Sequence, residues 1–134
     1  MQKLVKLIAV VALLGTSALA RADEGMWKRV QRLDPGTRVK IAVGGAAPVE
    51  RYFVTLSDSE IVVLNLTAPG LPKGQLISMA VDNPGWMANT AKATYKDNSV
   101  RVGPDGVFVK DKKVASLADV VEHLERGKVS DIRT

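Results

Sequence analysis

The apolar residues of this chain change period at Asp34-Pro35-Gly36, and that change limits what it can fold into. Before the turn, Trp27, Val30 and Leu33 recur every third residue, with Lys28, Arg29 and Arg32 on the other face. That is the pattern of a short amphipathic helix. After it, Val39, Ile41 and Val43 alternate with Arg38 and Lys40 over Thr37 to Val43, the period of a strand with one buried face. Gly44-Gly45-Ala46-Ala47-Pro48 reads as a loop, and a second strand follows from about Val49 to Leu56 with Tyr52, Val54 and Leu56 on one side. Ser57 to Glu60 turns the chain into Ile61 to Leu66, IVVLNL, an almost unbroken apolar run suited to a strand buried on both faces. A helix followed by an antiparallel meander is therefore expected.

The pattern weakens between Thr67 and Ser99. Pro69, Gly70, Pro72 and Gly74 interrupt regular structure, so an irregular insertion over 67–99 is expected. Within it Leu76 to Val81 can form a strand, and Asn83-Pro84 reads as a helix start running to about Lys92, with proline at the first helical position. Order returns at Gly103-Pro104-Asp105-Gly106, a hairpin turn flanked by Val100, Val102, Val107 and Val109. Lys110 to Lys113 reads as a charged turn. Ser116 with Asp119 resembles a capping box, and Leu117, Val120, Val121 and Leu124 form an apolar stripe at helical spacing, with Gly127 as the cap. Val129 to Ile132 returns as a closing strand.

The residues ahead of the first helix read as an export signal. Lys3 and Lys6 supply positive charge, Leu7 to Leu14 is apolar, and Ala18-Leu19-Ala20 and Ala20-Arg21-Ala22 both satisfy the small-x-small rule. Cleavage after Ala22 is favoured, with Ala20 the alternative. Leu7 to Ala20 is 14 residues, short of the roughly 20 that span a bilayer, so no membrane span is expected in the mature chain. No cysteine is present to carry a lipid anchor. Residues 1–22 are thus expected to be removed, leaving 23–134 as one exported domain, periplasmic or secreted.

The net charge of +5 on 134 residues overstates how basic that domain is. Lys3, Lys6 and Arg21 leave with the signal, so 16 basic side chains face 14 acidic ones, a net +2. That mild excess argues against nucleic acid as the partner. Without cysteine the domain has no disulfides and no thiol chemistry. Its stability must come from a core that removes about two-thirds of the unfolded surface from water.

The spacing Trp27-x-x-Val30-x-x-Leu33-x-x-Gly36-Thr37-x-Val39-x-Ile41-x-Val43, followed by the hairpin and the apolar strand, resembles the small SH3/Sm-like β-barrel domains of exported bacterial proteins of uncharacterised function. The resemblance covers about residues 26–66, with Val129 to Ile132 as the closing strand. It implies an α+β, mainly antiparallel fold. In it a short N-terminal helix plugs a small bent barrel through Trp27 and Leu33, and a C-terminal helix precedes the closing strand. RNA-binding Sm-like proteins place an asparagine shortly after the hairpin-loop aspartate. Here Asp58 is followed by Ser59, Glu60, Ile61 and Val62, and Arg51 to Phe53 stands where they keep a glycine. The resemblance therefore supports architecture and not RNA binding.

No catalytic, cofactor or metal motif is recognisable. His123, the single histidine, sits four residues after Asp119 and reads as a solvated helix-surface group. Asp34, Asp58, Asp82, Asp97 and Asp105 lie beside glycine or serine without the alternating ligands of a calcium loop, so turn chemistry accounts for them. No serine lies in G-x-S-x-G or S-x-x-K. Asn65-Leu66-Thr67 matches a glycosylation sequon, but inside a strand. What remains is a candidate binding surface of Trp86, Lys110, Lys112 and Lys113, with Lys96 and Arg101 nearby. These features point to a non-enzymatic binding or assembly module whose partner is an envelope protein or a polysaccharide. Two alternatives stand beside it: a small carboxylate hydrolase or enzyme subunit, whose acidic groups would meet only in space, and an anion or polysaccharide binder.

Overall fold

The computed structural model describes residues 24–89, 93–95 and 97–134. Residues 1–22, which read as an export signal, and the two expected cleavage sites lie outside them. The chain divides into two units, Met1–Arg32 and Leu33–Thr134. In the first, a helix α1 covers 24–30, with Met26, Trp27 and Val30 buried.

The second unit is α+β, with mostly antiparallel strands in two sheets. It opens with β1 Arg38–Val43 and β2 Val49–Leu56, as the period-two pattern predicts, and β3 Glu60–Leu64, the expected apolar strand, which ends before Asn65 and Leu66. The chain then leaves the sheet and forms α2 Lys73–Asp82 and α3 Pro84–Asn89, followed by β4 Ala93–Thr94, β5 Val100–Gly103, β6 Gly106–Val109 and β7 Lys112–Ala115. It returns through α4 Leu117–Val120, β8 Val121–Glu125, a 3-10 turn Arg126–Lys128 and β9 Val129–Arg133. The larger sheet has the order β8-β3-β2-β1-β9 and the smaller β4-β5-β6-β7. Among the described residues no pairing joins the edge strands β8 and β9, and no closed barrel is found.

The turn before β1 is built from the residues that marked it. Thr37 donates its hydroxyl (2.6 Å) and its N–H (3.1 Å) to the Asp34 carbonyl. Gly36 has φ +90°, and a Cβ there would stand 2.7 Å from a Val81 methyl, so side-chain-free backbone is needed where α2 crosses the turn. Register shifts in β2 between Phe53 and Thr55, and between Ala42 and Val43 where β1 meets β9, bend the sheet. The C-terminal segment expected as a strand is β9, which pairs antiparallel with β1 at the edge of the sheet.

In β3, Ile61, Val62, Val63 and Leu64 are all buried, so both of its faces are covered. On one side Val62 and Leu64 join Val54 and Val121 in a core with Leu76, Met79 and Ala80 of α2, Met87 of α3, and Val100, Val102 and Val107 of the smaller sheet. On the other side lie Ile61, Val63, Phe53, Val39, Ile41 and Ile132. There Arg51 Nε bonds Glu122 Oε1 at 2.7 Å and ties β2 to β8 across β3.

Three expectations are corrected. Leu76 to Val81 is helical: Leu76, Met79 and Ala80 bury one face at i, i+3, i+4 spacing, and the described residues of 67–99, expected to be irregular, include two helices, Lys73–Asp82 and Pro84–Asn89, and the short strand Ala93–Thr94. The C-terminal helix stops at Val120, without a side-chain cap bond from Ser116, and the rest of its stripe is β8. Leu124 therefore pairs opposite Ile61 instead of lining a helix, and Gly127 lies in the 3-10 turn. The physical reason is the open edge of β3: the chain enters it at the β-branched Val121, and five residues, Val121 to Glu125, gain backbone partners. Lys112 and Lys113 belong to strand β7, so the charged turn shrinks to Lys110-Asp111.

Candidate functional site

The Gly103-Pro104-Asp105-Gly106 turn sets the register of everything around it. Gly103 pairs with Gly106, hence Val102 with Val107, Arg101 with Phe108 and Val100 with Val109. Side chains alternate between faces along each strand, and here the alternation separates two chemistries. Val100, Val102 and Val107 enter the core. Arg101 and Phe108 go to the other face, where pairing continues to Thr94 on β4 and to Lys113 on β7. A row Thr94, Arg101, Phe108, Lys113 thus crosses all four strands on the outer face. Phe108 is half-buried and the other three are exposed.

Contacts hold the two cations of this row. The Arg101 guanidinium carbon lies 4.4 Å from the centre of the Phe108 ring, a cation–π stack. Asp111 Oδ1 approaches Arg101 Nη2 at 3.9 Å while remaining 96% exposed. The Lys113 stem passes over Gly106, where a Cβ would stand 2.9 Å from its Cε and 2.7 Å from the Ala115 carbonyl oxygen. Lys110 and Asp111 form the two-residue β6–β7 turn with φ of 50° and 67°. That is the primed hairpin geometry usually supplied by Asn-Gly.

The surface expected from the sequence is only partly assembled. Lys110, Lys112 and Lys113 are all exposed. Lys112 pairs with Val109 and Lys113 with Phe108, so the two lysines project from opposite faces of β7. Trp86 lies in α3, which packs on β2; its side chain, and the whole of Lys96, lie outside the described residues. Phe108 was not anticipated. The signal was present, because pairing outward from the Gly103–Gly106 turn sets residue 101 against residue 108.

His123 is exposed, as expected, but on strand β8 and not on a helix. Its Nδ1 is 3.2 Å from Glu60 Oε1, and Asp119 is not its partner. Glu60 also lies directly opposite Glu125, which Lys128 meets at 3.6 Å. These are solvated surface pairs, of small energetic weight. Asp97 accepts hydrogen bonds from the Ser99 hydroxyl and N–H, which hold its carboxyl below the ordinary range. Asn65 follows β3, and its side-chain oxygen accepts from the Thr67 hydroxyl and N–H. Among the described residues no group of three or more His, Cys, Asp or Glu side chains could hold a metal ion, and no helix is long and apolar enough to cross a membrane.

No protein-family model, curated protein or solved structure matches this chain.

Proposed function

We propose that this chain is an exported, non-enzymatic binding or assembly module built on an SH3/Sm-like sheet, with the smaller sheet as its contact surface. The observation that carries the reading is the exposed row Arg101, Phe108 and Lys113. One face of the smaller sheet spends its valines on the core, while the other holds a guanidinium and an ammonium beside an aromatic ring. Two features support the SH3/Sm-like part: three meander strands follow a short helix, and a later strand, β9, returns to pair with β1. Export rests on Lys3, Lys6, the Leu7 to Leu14 run and the small-x-small sites.

The test follows the tagged full chain through fractionation of a bacterial host. The expected product is exported, begins at Asp23 or Arg21, and sediments with the envelope until salt releases it. The double variant Arg101→Ser, Lys113→Ser should stay in the soluble exported fraction. A cytoplasmic product retaining Met1 overturns export. A double variant that partitions like the parent overturns the contact surface.

A further inference from the structure

We propose that the outer face of the smaller sheet binds a carboxylate-bearing polysaccharide, with Arg101 as the bidentate contact and Lys113 as the second cation; this rests on the binding-module reading above. The argument begins with what the stack does to Arg101. A free arginine side chain loses considerable rotamer freedom when it engages a ligand. Here the guanidinium already sits over Phe108, its carbon 4.4 Å from the ring centre, so part of that ordering is made in advance. Its planar fork of N–H donors matches a carboxylate by two parallel hydrogen bonds, which an ammonium cannot do. The chain's own Asp111 carboxylate stands 3.9 Å away, too far for a hydrogen bond and almost wholly exposed. The guanidinium is therefore oriented but not saturated.

Geometry then favours a polymer. Small-molecule sites are concave, whereas this row lies on an open sheet face. Arg101 and Lys113 are two strand spacings apart, about 10 Å. Both sit on side chains steered by the sheet, one by Phe108 and the other by the gap over Gly106. A linear chain with an acidic group on each sugar can meet both cations while crossing the strands. An acidic peptide would dock best by adding a strand at the β7 edge. That edge carries Lys112 and Lys113 and a register shift between Val107 and Phe108, devices that resist strand addition. Single-stranded nucleic acid needs open aromatic faces on which successive bases stack, and the Phe108 ring is occupied by Arg101.

The full chain, purified from a host that exports it, should be titrated against polygalacturonate, with dextran, polyglutamate and a single-stranded oligonucleotide as competitors. Polygalacturonate is expected to bind in a salt-sensitive manner, and the other three to bind at least about tenfold more weakly. Arg101→Lys keeps the charge and Phe108→Leu keeps an apolar residue, yet each should weaken binding about tenfold by removing the fork or its support. Asp111→Asn keeps a residue that tolerates positive φ and removes the competing carboxylate, so it should tighten binding about threefold. Circular dichroism of each variant should match the parent.

Several outcomes overturn the inference: no binding to polygalacturonate, equal binding of polyglutamate or the oligonucleotide, or parental affinity in Arg101→Lys. Absent polygalacturonate binding with envelope sedimentation intact removes the polysaccharide and leaves the binding module. Loss of both removes both.

Discussion

The larger sheet and the smaller one differ in how they use their faces. In β3, successive residues Ile61 to Leu64 are all buried, so the strand is covered above and below. In β5 and β6 Val100, Val102 and Val107 enter the core, while Arg101 and Phe108 point to the other face, Arg101 exposed and Phe108 half-buried. A strand covered on both faces contributes to stability and leaves nothing to present to a partner. A strand covered on one face divides the work, because its outer residues can change without reopening the core. The contrast explains why the candidate site lies on the smaller sheet and not on the larger one.

The strongest test of that contrast is truncation on either side of β3. Ile61→Ala and Leu64→Ala face opposite ways, and each should cost about 2–5 kcal/mol in urea melts, against about 5–15 kcal/mol in total for a domain of this kind. If either costs under about 0.5 kcal/mol, the level usual for surface substitutions, that face of β3 is not core. A smaller, opposite effect is expected at the β6–β7 turn. Lys110 and Asp111 adopt positive φ without being glycine, and the pair Lys110→Asn, Asp111→Gly should raise stability by about 1 kcal/mol. No gain would mean that the turn is unstrained.

The smallest effect concerns pH. Because the folded Asp97 carboxyl titrates below its unfolded counterpart, its contribution is present above about pH 4 and is lost as pH falls through the folded value. Ser99→Ala removes the hydroxyl that is the largest cause. The variant should lose less stability than the parent as pH falls below about 4. Identical acid limbs would show that the bond is not formed in solution.

Where one residue pattern had one structural solution, the sequence was readable. The alternation from Arg38 to Leu56 and the Gly103–Gly106 turn became strands and a hairpin with boundaries close to those expected. Where a pattern had two solutions, context decided. Leu117, Val120, Val121 and Leu124 suit a helix face, but the open edge of β3 offered backbone partners, and the strand won from Val121 onward. Leu76 to Val81 contained a helical triplet, Leu76, Met79 and Ala80, obscured by the prolines and glycines just before it. The site was half legible. The lysines were visible as a run, but their division between two faces, and the placing of Arg101 on Phe108, exist only once the strands pair.

β3 and β8 are neighbours whose connection is the whole excursion that builds the smaller sheet, and its two ends meet: Leu64 pairs with Val121, and Asn65 N–H donates to the Val120 carbonyl at 2.8 Å. In polymer terms everything between them is one long hairpin loop. The entropy of closing a loop grows only logarithmically, about 0.6 kcal/mol for each doubling of its length. Lengthening a tight turn to this size takes between four and five doublings, a cost of about 3 kcal/mol. Burial of the excursion's own Leu76, Val100, Val102 and Val107 against β3 readily offsets that. A chain can therefore gain a second sheet inside a hairpin at little thermodynamic cost, provided that the new segment brings its own apolar face and leaves the ends of the hairpin where they were.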